Sequence, residues 1–402
     1  MKQPNKKVIL ILLAALNFTH ILDFMIMMPL GNYLMPYFNI TPKQFSYLVA
    51  AYTLSAALSG FLAAFFVDRY DRKNVLLIGY GGFLLGTFFC GIAPSYELLL
   101  IARIVAGLFG GLIGAQVLSI VSDLFSYEER GKAMGSVISA FAIASTFGVP
   151  FALYLANLIS WHAPFLFVAI AGIGIFPFLY RHIPHMRSHM TSNEGRSKLH
   201  ALQQVLGDSR QLLAMLFSLL WYMGHFFIIP FINPYLEFNM GYSKVQTPMI
   251  YLVGGSCSFI AANIFGKLAD KYGKLKVFVI CMLVSLVFVL LITHLTAMAP
   301  LPFVLVLSFF ACWFIASTGR GVASQALISN VVPAQSRGSF MSFNSSVQSL
   351  GTGLASFGAG AVVTADAAGQ LHNYSWLGYI SVGVLFLCMM LARYLFAGMD
   401  KR

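Results

Sequence analysis

The sequence predicts an all-α membrane protein of twelve transmembrane helices, arranged as two similar halves with both termini cytoplasmic. Three observations predict it. Only 9% of the 402 residues are charged, against roughly 25% in a soluble chain; 59% are hydrophobic and the mean hydropathy is +0.80. Twelve apolar runs, each near the roughly 20 residues that cross a hydrocarbon core of about 30 Å, are separated by short polar punctuation. Finally, a polar loop motif occurs twice. AFFVDRYDRK at residues 64–73 is matched by GKLADKYGKLK at 266–276, with Asp68 aligned to Asp270, Arg69 to Lys271 and Arg72 to Lys274.

The apolar segments lie at 8–31, 45–67, 74–94, 97–125, 132–157, 163–180, 210–232, 246–266, 276–296, 301–326, 339–364 and 374–397. The first is longer than a signal-peptide core and no small-residue cleavage site follows it, so it is expected to remain as a helix. A formal net charge of +12 raises nucleic acid as a partner. The placement of the charges excludes it: with the N-terminus inside, all 25 Lys and Arg except Lys43, Lys244, Arg103 and Arg320 fall on the cytoplasmic side, the bias expected of a polytopic membrane protein. The polar stretch 181–209 separates the sixth and seventh segments, which divides the chain into an N-terminal half (1–180), a cytoplasmic linker (181–209) and a C-terminal half (210–402).

The five cysteines lie in apolar segments without paired or ligand-like spacing and read as small buried hydrophobes. His182, His185 and His189 have no Cys or carboxylate to complete a metal set, so neither a metal nor another cofactor is expected.

In the first segment Asn17, His20, Asp23 and Met27 follow one another at steps of three and four, along one helical face. Asp23 is the only carboxylate read as lying well inside an apolar segment. A lone carboxylate in hydrocarbon is costly and normally faces a wet cavity or a partner on a substrate or proton path. His20 is open to two readings, an interhelical donor or part of that path; His20–Pro29 and His225–Pro234 share one spacing, so the seventh segment echoes the first.

The fourth segment carries Arg103, Gly107 and Gln116. By rise per residue Asp23 lies about 8 Å and Arg103 about 9 Å below the outer surface, a depth at which the two can answer each other's charge. Snorkelling to the headgroups is the alternative for Arg103, and equally for Arg320. Gly107, Gly110, Gly111 and Gly114 form a small-residue ridge for close helix contact. In the fifth segment Gly148 and Pro150 interrupt regular helix bonding. The end of the fourth segment, SIVSDLFSYEERGKAMG, aligns with ALISNVVPAQSRGSFMS after the tenth, a second internal repeat.

The seventh segment is aromatic and broken by prolines, with Trp221, His225, Phe226 and Asn233; such helices line cavities in transporters. Trp313 in the tenth segment and Asn344 with Gln348 in the eleventh complete the candidate cavity set of Asn17, Met27, Gln116, Trp221, His225, Phe226, Asn233, Trp313, Asn344 and Gln348. Oppositely charged Asp68, Arg72, Asp123 and Arg130 gather at the cytoplasmic ends of the first half, as a gate or as topology determinants.

The chain resembles the major facilitator superfamily over essentially its full length, and within it the proton-driven drug and sugar efflux branch that includes arabinose-efflux-like permeases. The family's cytoplasmic loop signature is kept in the second copy as Gly266, Asp270, Lys271, Gly273 and Lys274. The first copy departs from it at Ala64 and Asp71, where glycines are usual. Arg103 with Gly107 matches the fourth-helix signature, whose arginine is linked to proton coupling in relatives. Ala144, Gly148 and Pro150 partly meet the fifth-helix antiporter signature. The resemblance implies two pseudo-symmetric six-helix bundles around a central cavity, lined by the first, fourth, seventh and tenth helices.

These residues lead to the expectation of a secondary active transporter working by alternating access. Asp23, Arg103 and His20 would handle protons, because a carboxylate poised between burial and a guanidinium can exchange one. Asp68, Arg69, Arg72, Asp123, Arg130, Gly266, Asp270, Lys271, Gly273 and Lys274 would form the cytoplasmic gate. Proton-coupled efflux antiport is the leading expectation and proton-coupled import of a nutrient, siderophore or metabolite the alternative; an enzyme or receptor is the outside reading. The expected partners are a small molecule, protons and the lipid bilayer, with the chain a monomer in a bacterial inner membrane, and an amphiphilic or cationic substrate suits an aromatic cavity with one acid.

Overall fold

The computed structural model describes residues 5–187, 207–332 and 337–398. Nearly all of it is helical. α1 (Lys6–Met27) opens on Asn5, whose side chain accepts the Lys7 and Val8 amides, and ends where Pro29 cannot continue the ladder. After a short turn the chain resumes as α2 (Gly31–Phe38) and stops at Asn39 in the left-handed region, φ 51°. The segment expected at 8–31 is therefore a helix broken near its far end.

A Thr41–Gln44 capping box starts α3 (Pro42–Phe66). α4 (Arg72–Gly91) starts on Asp71, α5 (Tyr96–Leu124) on Ser95, and α6 (Tyr127–Ile143) follows. α6 passes through a π turn at Ala144–Gly148 into α7 (Val149–Leu158). Pro150 has no N–H to give to that turn, which widens in front of it. α8 (His162–His182) closes the first set.

The second set begins with α9 (Ser209–Phe226), capped by Asp208. Pro230 and Pro234 then force a 3-10 turn (Ile229–Phe231), a single helical turn α10 (Ile232–Pro234) and a π turn (Tyr235–Asn239), so this span extends seven residues past the expected end at 232. α11 (Thr247–Tyr272) and α12 (Lys274–Thr293) are joined by Gly273 alone, at φ 97°, a conformation glycine adopts without a Cβ clash. α13 (Phe303–Ser329), α14 (Arg337–Val362), a two-residue hairpin of β1 (Thr364–Ala365) and β2 (Leu371–His372), and α15 (Tyr374–Phe396) complete the chain. Among the described residues eleven spans are long and apolar enough to cross a membrane. α14 is the remaining long helix, less apolar, and it packs along α3.

Two seams join the earlier helices to the later ones. Along the first, Phe61 and Phe65 of α3 meet Phe343 of α14 with centroids 5.8 and 6.3 Å apart, and a Cβ on Gly353 would lie 2.6 Å from Leu54. Along the second, α11 approaches the π turn so closely that a Cβ on Gly255 would lie 2.6 Å from the Thr146 backbone. The glycine ridge works in three of its four places. A Cβ on Gly107 or Gly111 would strike the Tyr52 or Ala56 carbonyl of α3, and one on Gly110 would crowd Tyr52 and His20, whereas Gly114 faces open space.

The buried apolar side chains divide by depth. At the end remote from the N-terminus one cluster runs continuously through residues of both sets, from Leu22, Met27 and Phe45 to Phe231, Trp313 and Leu377. Towards the N-terminal face the clusters are separate, one around Leu13, Tyr80 and Val117 with a small satellite at Ala63, Val67 and Val75, the other around Phe217, Phe278 and Phe340. The two sets of helices share a core at one end and have separate cores at the other.

Candidate functional site

Asp23 of α1 and Arg103 of α5 are both fully buried, and Arg103 Nη1 donates to Asp23 Oδ2 at 2.8 Å. Their equal depth becomes a contact because α1 and α5 are packed together. The guanidinium carbon also lies 4.4 Å from the Tyr52 ring centroid and 6.0 Å from that of Phe165; a cation held over a ring away from water gains about 2 kcal/mol. Arg103 is thus enclosed and does not snorkel. The pair is monodentate: Asp23 Oδ1 and Arg103 Nε have no hydrogen-bond partner among the described residues. His20, one turn from Asp23, rests against Phe83 and Tyr52 at 5.3 and 6.4 Å between centroids, and its Nδ1 is likewise without a partner.

A second buried arginine lies in the later set. Arg320 of α13 is fully buried, so the snorkelling alternative fails here too. Its Nη2 is 2.7 Å from His225 Nδ1 of α9 and its Nη1 3.5 Å from Met282 Sδ of α12. A guanidinium only donates, so Nδ1 accepts and the imidazole is the neutral Nε2–H tautomer. The His225 ring lies against Trp313 at 5.2 Å and parallel to Trp221 at 6.4 Å.

The other cavity candidates are distributed. Phe226 meets Phe24 of α1 at 5.9 Å, across the gap between the two sets. Gln116 and Asn344 are buried, Gln116 Oε1 and both Asn344 amide atoms lacking partners among the described residues, while Gln348 is half-buried. Asn17 donates to the Val137 carbonyl and ties α1 to α6. Met27 and Asn233 lie in the shared far-end core: Met27 is fully packed, and Asn233 donates to the Pro29 carbonyl at 3.2 Å while accepting from Tyr251 at 3.0 Å.

That far end holds a carboxylate which sequence reading left out. Glu237, in the π turn after α10, accepts from Asn32 of α2 at 2.5 Å and from Thr247 of α11 at 2.8 Å, so Asp23 is not the only carboxylate within a span. Lys244 lies 4.3 Å over the Tyr33 ring beside it. The signal was the run Asn233–Glu237 directly after the expected end of the seventh segment.

At the N-terminal face Arg72 of α4 pairs with Asp123 of α5 at 2.6 Å. The side chains of Asp68 and Arg130 lie outside the described residues. Arg69, Asp270 and Lys271 are exposed, and Lys274 opens α12 after Gly273. Gly266 borders open space, whereas a Cβ on Gly148 would lie 2.8 Å from Leu22 of α1, next to Pro150. Asp71, the departure from the loop pattern, caps α4 through the Lys73 amide and binds the chain leaving α8. It accepts from the Met186 amide at 3.1 Å, His185 Nδ1 at 2.7 Å and Arg187 Nε at 3.2 Å. Burial by itself would raise its pKa, but these donors together hold it below the usual carboxylate value.

Broken helices around buried, half-satisfied charges, inside a bundle with one shared core and two separate ones, define a polytopic membrane transporter. The profile of the Major Facilitator Superfamily matches residues 13–356 and 255–402, and the chain belongs to that family. It is 25% identical over 261 residues to the uncharacterized MFS-type transporter YceJ of Bacillus subtilis (strain 168), covering 65% of this chain and 66% of YceJ. To the putative transporter AraJ of Escherichia coli (strain K12) it is 22% identical over 231 residues, 58% of this chain and 57% of AraJ. Its fold is similar to that of a bacterial homolog of the human lysosomal transporter Spinster, in an inward-facing and occupied conformation: TM-score 0.74, 16% identity, covering 100% of this chain and 99% of the other. Its relatives and fold neighbours are transporters of this superfamily, and it is a multi-pass membrane transporter of this type, not an enzyme.

Proposed function

We propose that the chain is a proton-coupled antiporter that exports a small molecule across the bacterial inner membrane by alternating access, acting as a monomer. The observation that carries the reading is the monodentate Asp23–Arg103 pair, whose unpartnered carboxylate oxygen is the place where a proton binds. Protonation removes the anion that holds Arg103, and the pair loosens; deprotonation restores it. His20 and the ring of Tyr52 pack against each other, with Tyr52 also lying under the Arg103 guanidinium, and they border the route by which that proton is exchanged.

In this reading α14 is the twelfth span, residues 1–180 and 210–402 form two six-helix halves, and 181–209 links them on the cytoplasmic side. The placement of Lys and Arg supports an inside position for both termini. The far end is then the outer face, closed by the Asn32–Glu237 and Asn233–Pro29 hydrogen bonds and by the shared apolar core. Rocking of the halves breaks those contacts and brings together the cytoplasmic ends, where Arg72, Asp123 and the two loop motifs lie. The fifth-segment element with Gly148 and Pro150 and the resemblance to sugar-efflux permeases favour export.

Purified protein in liposomes with an imposed pH gradient tests this reading. Substrate should leave the compartment that protons enter, and the direction should reverse with the gradient. Movement of substrate in the same direction as protons would instead establish symport.

A further inference from the structure

Arg103 has an acid for its charge, and among the described residues Arg320 has none. Among the described residues Arg320 forms no ion pair; its hydrogen-bond partners are a neutral imidazole and a thioether. Burying a guanidinium against such weak acceptors is unfavourable unless something else completes its hydrogen bonding during function. The surroundings repeat that deficit. Arg320 Nε, Trp221 Nε1 and Trp313 Nε1 are all buried N–H donors with no acceptor among the described residues. Both indoles flank His225, and Trp221 also packs on α13 beside Gly321, the residue after Arg320. Among the described residues the corner contains several donors and no anion.

We infer that Arg320, His225, Trp221 and Trp313 form the substrate's headgroup site and that this group is a carboxylate on an aromatic or similarly flat apolar body. A carboxylate is acceptor-only and takes up several donors at once. It binds a guanidinium more strongly than a neutral ring nitrogen does, so it displaces His225 Nδ1, which now stands where an anionic oxygen would be. His225 is suited to yield: the residue is only half-buried while Arg320 behind it is fully buried. The adjacent Phe226 touches Phe24 of the other half, which puts this stretch of α9 at the boundary between the halves. The stacked Trp221, His225 and Trp313 rings offer flat faces to the body of such a ligand. A cationic substrate, which the single acid of the first segment suggested, fits poorly, because Asp23 is already engaged by Arg103.

This inference rests on the transporter reading for its meaning but is tested by binding, which needs no gradient. The thermal midpoint of the full chain in detergent is measured with benzoate and indole-3-acetate, each against its carboxamide, and with benzylamine. Wild type should be stabilised by the carboxylates and not by the amides or the amine. Arg320→Met should abolish the shift, and Arg320→Lys should keep part of it. Should Arg320→Met fail to fold, Trp313→Phe keeps an aromatic face and removes one donor, and the concentration giving a half-maximal shift should rise about tenfold. Equal shifts with acid and amide, stabilisation by the amine alone, no shift with either carboxylate, or a carboxylate shift unaltered by Trp313→Phe would each overturn the inference. A chain that binds carboxylate yet shows no gradient-driven flux would retain this site and lose the antiport reading.

Discussion

Asp23 and Arg103, both fully buried, meet through one hydrogen bond of 2.8 Å that leaves Asp23 Oδ1 and Arg103 Nε without partners among the described residues. A bidentate pair would be a fixed strut. A single bond leaves a carboxylate oxygen open to a proton and gives the contact two states of similar packing, which is what coupling between proton binding and helix movement needs.

Removing one partner strands the other. Arg103→Leu should lower stability in detergent by about 3–5 kcal/mol, because an unpaired carboxylate remains buried. Adding Asp23→Asn to it should recover much of that loss, although neither variant couples protons. Thermal denaturation of the two single variants and the double variant measures the cycle; equal losses in the single and double variants would show that the charges do not act on each other.

The far-end closure should depend on Glu237 and Asn233. Asn32→Ala and Asn233→Ala each delete one hydrogen bond between α2 or the Pro29 turn and the segment after α9. At about 1 kcal/mol per bond, each should raise the population open at that end roughly fivefold. Labelling of Met27→Cys, buried in the closed form, by a membrane-impermeant thiol reagent reads that population and should quicken accordingly.

Asp71→Asn should free the chain after α8. Its donors hold the carboxylate below its ordinary pKa of 3.8, so the stability they confer is present above that value and is lost as pH falls through the lower folded-state value. Melting curves of wild type and Asp71→Asn should differ at pH 6 and converge only in strong acid. Trypsin cleavage after Arg187 should be faster in the variant at neutral pH.

Gly107→Ala should destabilise by about 1–3 kcal/mol, since its methyl group meets the Tyr52 carbonyl and α3 and α5 must separate to admit it. Gly114→Ala, facing open space, should be neutral or slightly stabilising. Thermal shift on both variants separates the ridge from mere glycine content.

Hydropathy and charge made depth legible. They placed Asp23 and Arg103 in one layer and spaced the repeats, because those properties vary along the chain in the direction that crosses the membrane. Rotation about each helix axis was not legible in the same way. The sequence leaves Arg320 open between snorkelling and a site role, and only the packing of α9, α12 and α13 turns it inward onto His225 and Met282. Glu237 was missed because prolines appeared to end the seventh segment, whereas the chain rebuilds itself through 3-10, α and π turns and carries the carboxylate onto Asn32. Asp71 was visible as a departure from the loop pattern, but its role depends on residues 185–187, which are distant in sequence and close in space.

The most direct test of the account is Asp23→Asn in proteoliposomes, assayed in parallel for flux driven by a pH gradient and for counterflow with substrate on both sides and no gradient. The variant keeps the shape of the side chain and removes its titration. Gradient-driven flux should fall at least tenfold while counterflow persists, since exchange requires the conformational cycle but no net proton movement. Gradient-driven flux equal to wild type would contradict the assignment of proton coupling to the Asp23–Arg103 pair.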